Sequence, residues 1–283
     1  NTLFYTIPTV TNSCKSCPKM PLNKLQKREV NPAVVTVGDE ILYGERRNLN
    51  QEWLLSTLWN LGCPATTAVM LPDDESSISS SIKRLKEQDH LPILTSGGIG
   101  GTHDDVTRQG IAAALILPLA RHDECFEFLK ARYGPDFTPQ RERMTQLPKG
   151  CELIDNPIGA PGFHIGGVYA FPGFPNMLRP MAELVLSRLL PHEQADEQAT
   201  ISVSLPLPEG SIAMEVESFS KQFPACQVGV YPSTKQYSRE TTIRLRYPSG
   251  QKEIRLSFEA LILSFEQTLA VTARWSSADD PQK

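Results

Sequence analysis

The stretch Thr95-Ser-Gly-Gly-Ile-Gly-Gly-Thr-His-Asp-Asp-Val-Thr107 decides how this chain reads. It follows an apolar run, Leu91-Pro-Ile-Leu94, which predicts a buried strand. It precedes residues 106–117, whose Ala and Leu content predicts a helix. Gly97, Gly98, Gly100 and Gly101 stand where strand gives way to helix. Without a Cβ they let backbone N–H groups approach an anion, and the start of the helix adds partial positive charge. Thr102 and Thr107 offer hydroxyls to a phosphate. Asp104 and Asp105 would repel that phosphate unless a cation lay between them. Their oxygens suit Mg²⁺ or Mn²⁺, with Co²⁺ as a borderline ion. The local chemistry therefore predicts a metal-bridged phosphate or diphosphate, with Asp104 and Asp105 as metal ligands. The alternative is a plain structural turn in which Asp104 or Asp105 caps the helix. No Lys follows the glycines as in a Walker loop, and the spacing is not the usual dinucleotide fingerprint. His103 reads as solvent-facing in preference to a base.

Outward from this stretch, the β-branched run at 33–37 predicts a strand that delivers Gly38-Asp39-Glu40 to its carboxyl end. That is the edge where α/β folds collect ligands. Asp39 and Glu40 can bind a metal, accept ligand hydrogen bonds or act as a general base; helix capping is their other role. Residues 50–61 predict a helix with Leu49, Trp53, Leu54, Leu58 and Leu61 on one side, capped by Asn48 or Asn50. Residues 65–71 predict a second strand, ending at Asp73-Asp74. The next helix carries Ile78, Ile82 and Leu85 at helical spacing, with Asp74 as candidate cap. Such alternation predicts right-handed βαβ units and a mostly parallel sheet. If the strands are neighbours, all three acidic pairs meet at one edge, which is costly without a cation or a shared proton.

Further on, a helix is predicted at 123–132, a long surface excursion at 133–167, a strand at 168–171 and a closing helix at 177–190. The turn Pro172-Gly-Phe-Pro175 would bring the Gly173 backbone to the ligand. Phe174 there either stacks on a flat ring or covers the sheet end. Residues 191–198 read as a polar, acidic linker. Residues 199–275 read β, α, β, β, α, β, with strands at 200–205, 227–231, 241–247 and 271–275 and helices at 211–223 and 254–269. That order predicts a small α+β module, ferredoxin-like or related. Its Arg244, Arg246 and Arg255 read as solvated faces, and 276–283 as a polar tail.

Four segments in order carry a family resemblance: Val35-Thr-Val-Gly-Asp-Glu-Ile-Leu-Tyr-Gly44 with Asn48 and Asn50 beyond it, the glycine-rich stretch, Asn156-Pro-Ile-Gly-Ala-Pro-Gly-Phe163, and Tyr169-Ala-Phe-Pro-Gly-Phe-Pro-Asn-Met177. They resemble the MoaB/Mog-type molybdopterin-binding domain family, most closely the amino-terminal domain of CinA-type proteins and the corresponding domain of eukaryotic FAD synthase. The family patterns are G-D-E-I-L-x-G-x-x-x-D-T-N, G-G-[IL]-G-P-T-x-D-D-V-T, N-x-x-G-x-A-P-G-F and P-G-x-P-E. The resemblance covers residues 33 to 190. It implies an α/β fold with a three-layer, mostly parallel sheet, and a nucleotide or pterin ligand. It also implies hydrolysis of a nucleotide diphosphate such as FAD or ADP-ribose with a divalent metal and K⁺. On this reading Asp39, Glu40 and Asp105 are catalytic, and Gly38, Asn50, Gly97, Gly98, Gly100, Thr102, Thr107 and Gly173 contact the ligand. The resemblance also implies a family that often forms dimers or trimers, which makes a homo-oligomer one option while the sequence leaves the oligomeric state open. No FAD-forming nucleotidyl-transfer domain is recognisable after residue 190, so the chain is expected to break a phosphoanhydride rather than make FAD. The alternatives are a pterin- or nucleotide-binding module without turnover, and a structural or regulatory subunit. Three departures bear on this. Asn48 stands where the family often has Asp, with Leu49 in place of Thr. Gly101 replaces Pro, and Asn176 replaces Glu. Two of them remove a carboxylate, and Asn keeps an acceptor but no charge. Gly for Pro is expected to loosen the turn by roughly 1 kcal/mol at most.

Composition sets the remaining bounds. The chain has 283 residues and a net charge of −4. That suits one large or two modest domains, and no basic excess points to nucleic acid. No window approaches the roughly 18 apolar residues of a membrane span. Cys14 and Cys17 form a CxxC with no second pair or His cluster at zinc spacing, which reads as an incidental tail feature. Cys63, Cys125, Cys151 and Cys226 read as isolated thiols, which fits a reducing compartment. Residues 1–31 read as a basic extension, with Lys15, Lys19, Lys24, Lys27 and Arg28. It is either flexible or the remnant of an organellar targeting region, so cytoplasm and mitochondrion are both open.

Overall fold

The Ala and Val side chains of β1 (Ala33–Val37) are buried at every position, as they must be in a parallel strand covered on both faces. The computed structural model describes residues 30–190, 198–235 and 238–277. Most of the basic extension with its Cys14–Cys17 pair, most of the linker and the end of the polar tail lie outside the described residues.

After β1 come α1 (Asp39–Leu42), α2 (Leu49–Asn60), β2 (Thr67–Leu71), α3 (Glu75–Glu87), β3 (Ile93–Ser96) and α4 (Thr107–Ala114). The chain continues through β4 (Leu119–Arg121), α5 (Asp123–Tyr133), α6 (Pro139–Glu142), β5 (Gln146–Pro148), β6 (Glu152–Ile154), β7 (Gly162–Ile165), β8 (Val168–Phe171) and α7 (Pro175–Leu189). The main sheet has the order β2-β1-β3-β8-β7-β6. β1 pairs in parallel with β2 and β3, and β3 with β8. β7 runs antiparallel to both of its neighbours. One core packs Ile78, Ile82, Leu85, Ile111 and Leu129 against one face. A second packs Leu54, Leu58, Leu178, Met181 and Leu186 against the other. Helices therefore cover both faces, giving three layers.

Segment 133–167 is more than a surface excursion. β6 and β7 extend the main sheet from within it, and Phe163 of β7 is fully buried in the first core. β5 pairs with β4 in a separate small ladder. These strands are three or four residues long, too short for alternation to stand out in a Pro- and Gly-rich stretch. The helix expected to reach 117 stops at Ala114, and Ile116 adopts φ 56° beyond it. The strand expected at 91–94 lies two residues later, because Leu91 pairs instead with Asn31.

The second unit comprises β9 (Gln198–Leu205), α8 (Ala213–Gln222), β10 (Gln227–Pro232), β11 (Thr241–Pro248), α9 (Lys252–Leu269) and β12 (Arg274–Ser277). Its sheet is antiparallel with order β10-β11-β9-β12, the ferredoxin-like arrangement. Val203, Phe219, Ile243, Leu245, Phe258 and Ile262 form its core. The last strand starts later than the expected 271. Ala270 caps α9 in the left-handed region, and the Glu266 carboxylate accepts the Ala273 N–H at 2.7 Å. β12 then runs through Ser276 and Ser277, where the sequence reads as tail. Among the described residues no helix is long and apolar enough to cross a membrane.

α3 and α4 touch at Gly110, where an added Cβ would lie 2.5 Å from Ile78 Cγ2. Gly110→Ala is therefore expected to lower stability by about 1–3 kcal/mol through overpacking, despite alanine's helix propensity advantage of about 1 kcal/mol. Urea denaturation checks this; an unchanged or raised midpoint would mean Ile78 yields without cost.

Candidate functional site

The carboxyl ends of β1, β2, β3 and β8 open into a cleft of ≈ 740 Å³. Parallel pairing brings the three acidic pairs to this one edge. After β1, the Gly38 N–H donates to the Leu71 carbonyl at 3.1 Å. The Asp39 N–H donates to Asp73 Oδ2 at 3.0 Å, and the Asp73 N–H returns a longer bond to Asp39 Oδ1 at 3.4 Å. Asp39 thus clasps the ends of β1 and β2, and it is not among the residues lining the cleft. Glu40 and Asp73 are. Partial burial pushes the Asp73 carboxyl above its ordinary range. The Asp39 N–H opposes that shift, while the Asp39, Glu40 and Asp104 carboxylates add to it. Asp74 plays the capping role: its carboxylate accepts the Ser77 N–H at 2.7 Å, a bond that holds its pKa below the usual range.

The glycine-rich loop crosses next to this acidic edge. Gly97 and Gly98 adopt φ 96° and 66°, which disfavours any side chain. A Cβ on Gly97 would lie 2.2 Å from the Val37 carbonyl oxygen, and one on Gly98 2.2 Å from Thr107 Oγ1. Thr107 is fully buried. Its hydroxyl donates to the Gly97 carbonyl and its N–H to the Gly98 carbonyl, both at 2.9 Å. It anchors the loop and does not line the cleft. Thr102 closes the loop's far end, where its N–H donates to Asp105 Oδ2 at 2.8 Å and its hydroxyl donates to the same oxygen. Asp105 is therefore already engaged through Oδ2, and Asp104, 58% exposed, lies 3.8 Å from His103 Nδ1 and is held below the usual carboxylate range chiefly by the Thr102 side chain. Neither aspartate caps α4, which has no side-chain cap. Beneath the loop, buried Arg108 donates to the Arg143 and Asp105 carbonyls at 2.6 and 3.2 Å. At Gly101, α6 occupies the space a proline ring would need: an added Cβ would lie 2.2 Å from the Gln140 carbonyl oxygen. Packing against α6 buttresses the turn where the family pattern has a ring.

The remaining walls come from α2 and from the turn after β8. Asn48 Oδ1 accepts the Gln51 N–H at 3.1 Å and so caps α2, and its amide donates to the Thr36 hydroxyl at 3.1 Å. Asn caps as well as Asp, so this departure keeps the helix start and removes only charge. Asn50 Nδ2 donates to the Gly173 carbonyl at 2.7 Å, tying α2 to the turn before α7. Asn50 Oδ1 and Ser96 Oγ are buried without a partner, and both residues line the cleft. Phe174 is 61% exposed and belongs to the cleft lining. Asn176 is exposed and outside the lining, so the carboxylate missing there is missing from the surface.

Of the residues expected from sequence, the structure gathers Gly38, Glu40, Asn50, Gly97, Gly98, Gly100, Thr102, Asp104, Asp105 and Gly173 around one cleft. Asp73, Ser96, Arg46 and Arg47 join them. Nothing in the sequence alone marks the two arginines as cleft residues beyond their adjacency just past Gly44. Among the described residues no three His, Cys, Asp or Glu side chains form a metal cage. Mg²⁺ is usually held by one or two carboxylates with phosphate oxygens and water, and Glu40, Asp73 and Asp104 are donors of that kind.

Residues 33–192 match the model of a family described as a probable molybdopterin binding domain. The chain belongs to this family. Over 217 residues it is 32% identical to a protein of Aeropyrum pernix, covering 73% of this chain and 80% of that one. It is 35% identical over 167 residues to a CinA-like protein of Anaeromyxobacter sp. (strain K), covering 56% of this chain and 40% of that protein. The chain thus spans less than half the length of that relative. It is also similar to the crystal structure of the CinA protein of Thermoplasma acidophilum, a protein with unknown function. The identity there is 31% and the TM-score 0.53, over 56% of this chain and 98% of that one. The molybdopterin-binding domain here is accordingly CinA-like.

The acidic edge of this domain has a stability signature. The Asp73 carboxyl is shifted up from 3.8, so its ionised form costs the folded state stability at neutral pH, and the cost vanishes below both pKa values. With chelator present at pH 7, Asp73→Asn is expected to raise Tm by about 1–2 °C, a modest gain because solvent screens a partly exposed group. The gain should shrink as the pH falls through the raised pKa towards 3.8. Thermal melts across that range check it; a lower Tm at pH 7 would show that the Asp39 N–H bond outweighs the repulsion.

Proposed function

We propose that this domain hydrolyses the phosphoanhydride bond of a nucleotide diphosphate of the FAD or ADP-ribose type, with a divalent metal ion. The observation behind this reading is that Glu40, Asp73 and Asp104 line the same cleft as the Gly97, Gly98 and Gly100 backbone. An anion nest beside clustered carboxylates calls for a cation between them. Glu40 and Asp104 are the side chains to hold Mg²⁺, Mn²⁺ or Co²⁺ together with ligand phosphate oxygens. Once bound, such an ion neutralises developing charge and acidifies water.

The chain's own groups do the rest. The backbone N–H groups of the loop from Gly98 to Gly100, which lines the cleft, hold one phosphate. Asp73, which shares the cleft lining with them, accepts the proton of the attacking water. The water oxygen bonds to one phosphorus, the bond from that same phosphorus to the bridging oxygen breaks, and the other phosphate leaves carrying the bridging oxygen. The products are AMP and FMN from FAD, or AMP and ribose 5-phosphate from ADP-ribose. The exposed ring of Phe174 offers a face for a flat ring of the ligand.

A second reading, binding of a pterin or nucleotide without turnover, draws on Asp105. Its Oδ2 is occupied by both Thr102 donors, so one carboxylate the resemblance makes catalytic is engaged in holding the loop. Incubating the purified full chain with FAD or ADP-ribose and Mg²⁺ or Co²⁺ separates the readings. AMP release abolished by chelator is expected. A ligand-induced thermal shift without AMP would favour the binding module, and neither effect would leave a structural or regulatory subunit. Asp104→Asn, at an exposed position, is expected to keep the fold and lower turnover about tenfold or more. Turnover within about twofold of the parent would remove Asp104 from the metal site.

A further inference from the structure

The described lining of the cleft carries four carboxylates, Glu40, Asp73, Asp104 and Asp105, and two cationic side chains, Arg46 and Arg47. Both arginines are exposed. Among the described residues neither guanidinium has an ion-pair or hydrogen-bond partner. Their backbone is nonetheless held in place. The Glu45 and Arg46 N–H groups both donate to the Glu40 carbonyl, at 2.9 and 3.1 Å, and the Leu49 N–H donates to the Arg47 carbonyl at 3.0 Å. Asn48 follows at once, fixed between Thr36 and the α2 cap. A constrained turn therefore sets two unpaired guanidinium groups at the wall of an otherwise acidic cleft.

We propose that Arg46 and Arg47 form a guanidinium clamp for phosphate, which selects ligands with two linked phosphates over those with one. The proposal rests on the diphosphate reading above. No Lys follows the glycines, so the loop supplies backbone N–H groups but no side-chain cation. A single phosphate on the loop with a metal ion beside it is already largely neutralised. A second linked phosphate adds charge that the four carboxylates oppose, and the two arginines are the lining groups that offset it. Guanidinium binds phosphate through paired N–H donors, which an ammonium cannot reproduce. The partnerless Asn50 Oδ1 and Ser96 Oγ in the same lining point independently to a polar ligand, because buried polar atoms are ordinarily paired.

The test is calorimetry on the full chain with Mg²⁺, using inorganic pyrophosphate, orthophosphate, ADP-ribose and adenosine as separate probes. In an Arg46→Ala/Arg47→Ala double variant, pyrophosphate and ADP-ribose affinity is expected to fall by about tenfold or more. Orthophosphate affinity should fall by less than about threefold and adenosine affinity should hold. The Arg46→Lys/Arg47→Lys variant keeps the charge and should recover part of the lost affinity, but not all of it. It also serves if the alanine variant fails to fold, with weaker pyrophosphate binding than the parent as the expected result. Parental pyrophosphate affinity in a folded alanine variant, full recovery by lysine, or an equal loss for adenosine would overturn the clamp. A parent chain that binds pyrophosphate tightly in the first of these cases leaves the diphosphate site standing. A parent chain that binds neither pyrophosphate nor ADP-ribose sinks both proposals.

Discussion

The Val37 carbonyl and the Gly97 Cα approach so closely that no side chain fits between them, and the cleft depends on that approach. It lets the loop after β3 turn across the end of β1 instead of standing off from it. Thr107 locks the turn from below by donating to both the Gly97 and Gly98 carbonyls. Asn50 then ties α2 to Gly173, which lies next to Gly97 on the other side. Three strand ends, one loop and two helix starts are thereby held at fixed separation by backbone-directed hydrogen bonds. Sites set on rigid elements in this way keep their geometry without relying on a bound ligand.

The electrostatics of the edge run against stability. Parallel neighbours deliver Asp39, Glu40, Asp73 and Asp104 to one place, and the raised Asp73 pKa registers their mutual repulsion along with burial. A chain selected for stability alone would not keep such a cluster, and local conflicts of this kind concentrate at functional sites. The clasp between Asp39 and Asp73 and the cap made by Asp74 show how part of the acidity is put to structural use. What remains facing the cleft is Glu40, Asp73 and Asp104, with Asp105 bound to Thr102.

The departures from the family pattern lose much of their weight once placed in space. Asn48 still caps α2, Asn176 stands outside the cleft, and Gly101 makes room for α6. Every described residue lining the cleft comes from the molybdopterin-binding domain, at or before Met177. The ferredoxin-like unit that follows has its own core around Phe258, and none of its described residues is in that lining.

The sequence by itself determined the strand–helix alternation, the glycine loop and the gathering of the acidic pairs at one edge. Those features are local: a β-branched run, a helical period, glycines at a turn, and the rule that strand ends in a parallel sheet share a side. Tertiary structure decided the roles within the gathered set. Thr107 and Thr102 both read as hydroxyl donors to phosphate, yet their hydrogen bonds go to Gly97 and Asp105. Asp39 exchanges hydrogen bonds with Asp73 across the ends of β1 and β2 and lies outside the cleft lining, whereas Asp73 is part of it. β6 and β7 were hidden because three- and four-residue strands carry too little period to detect, and only the rest of the sheet gives them an edge to join. Arg46 and Arg47 were hidden for a related reason. Two charged residues in a turn look like solvated surface until the fold shows which wall they stand on. Side-chain type is written in the chain, but the partner that claims each donor, acceptor or charge is chosen by neighbours distant in sequence.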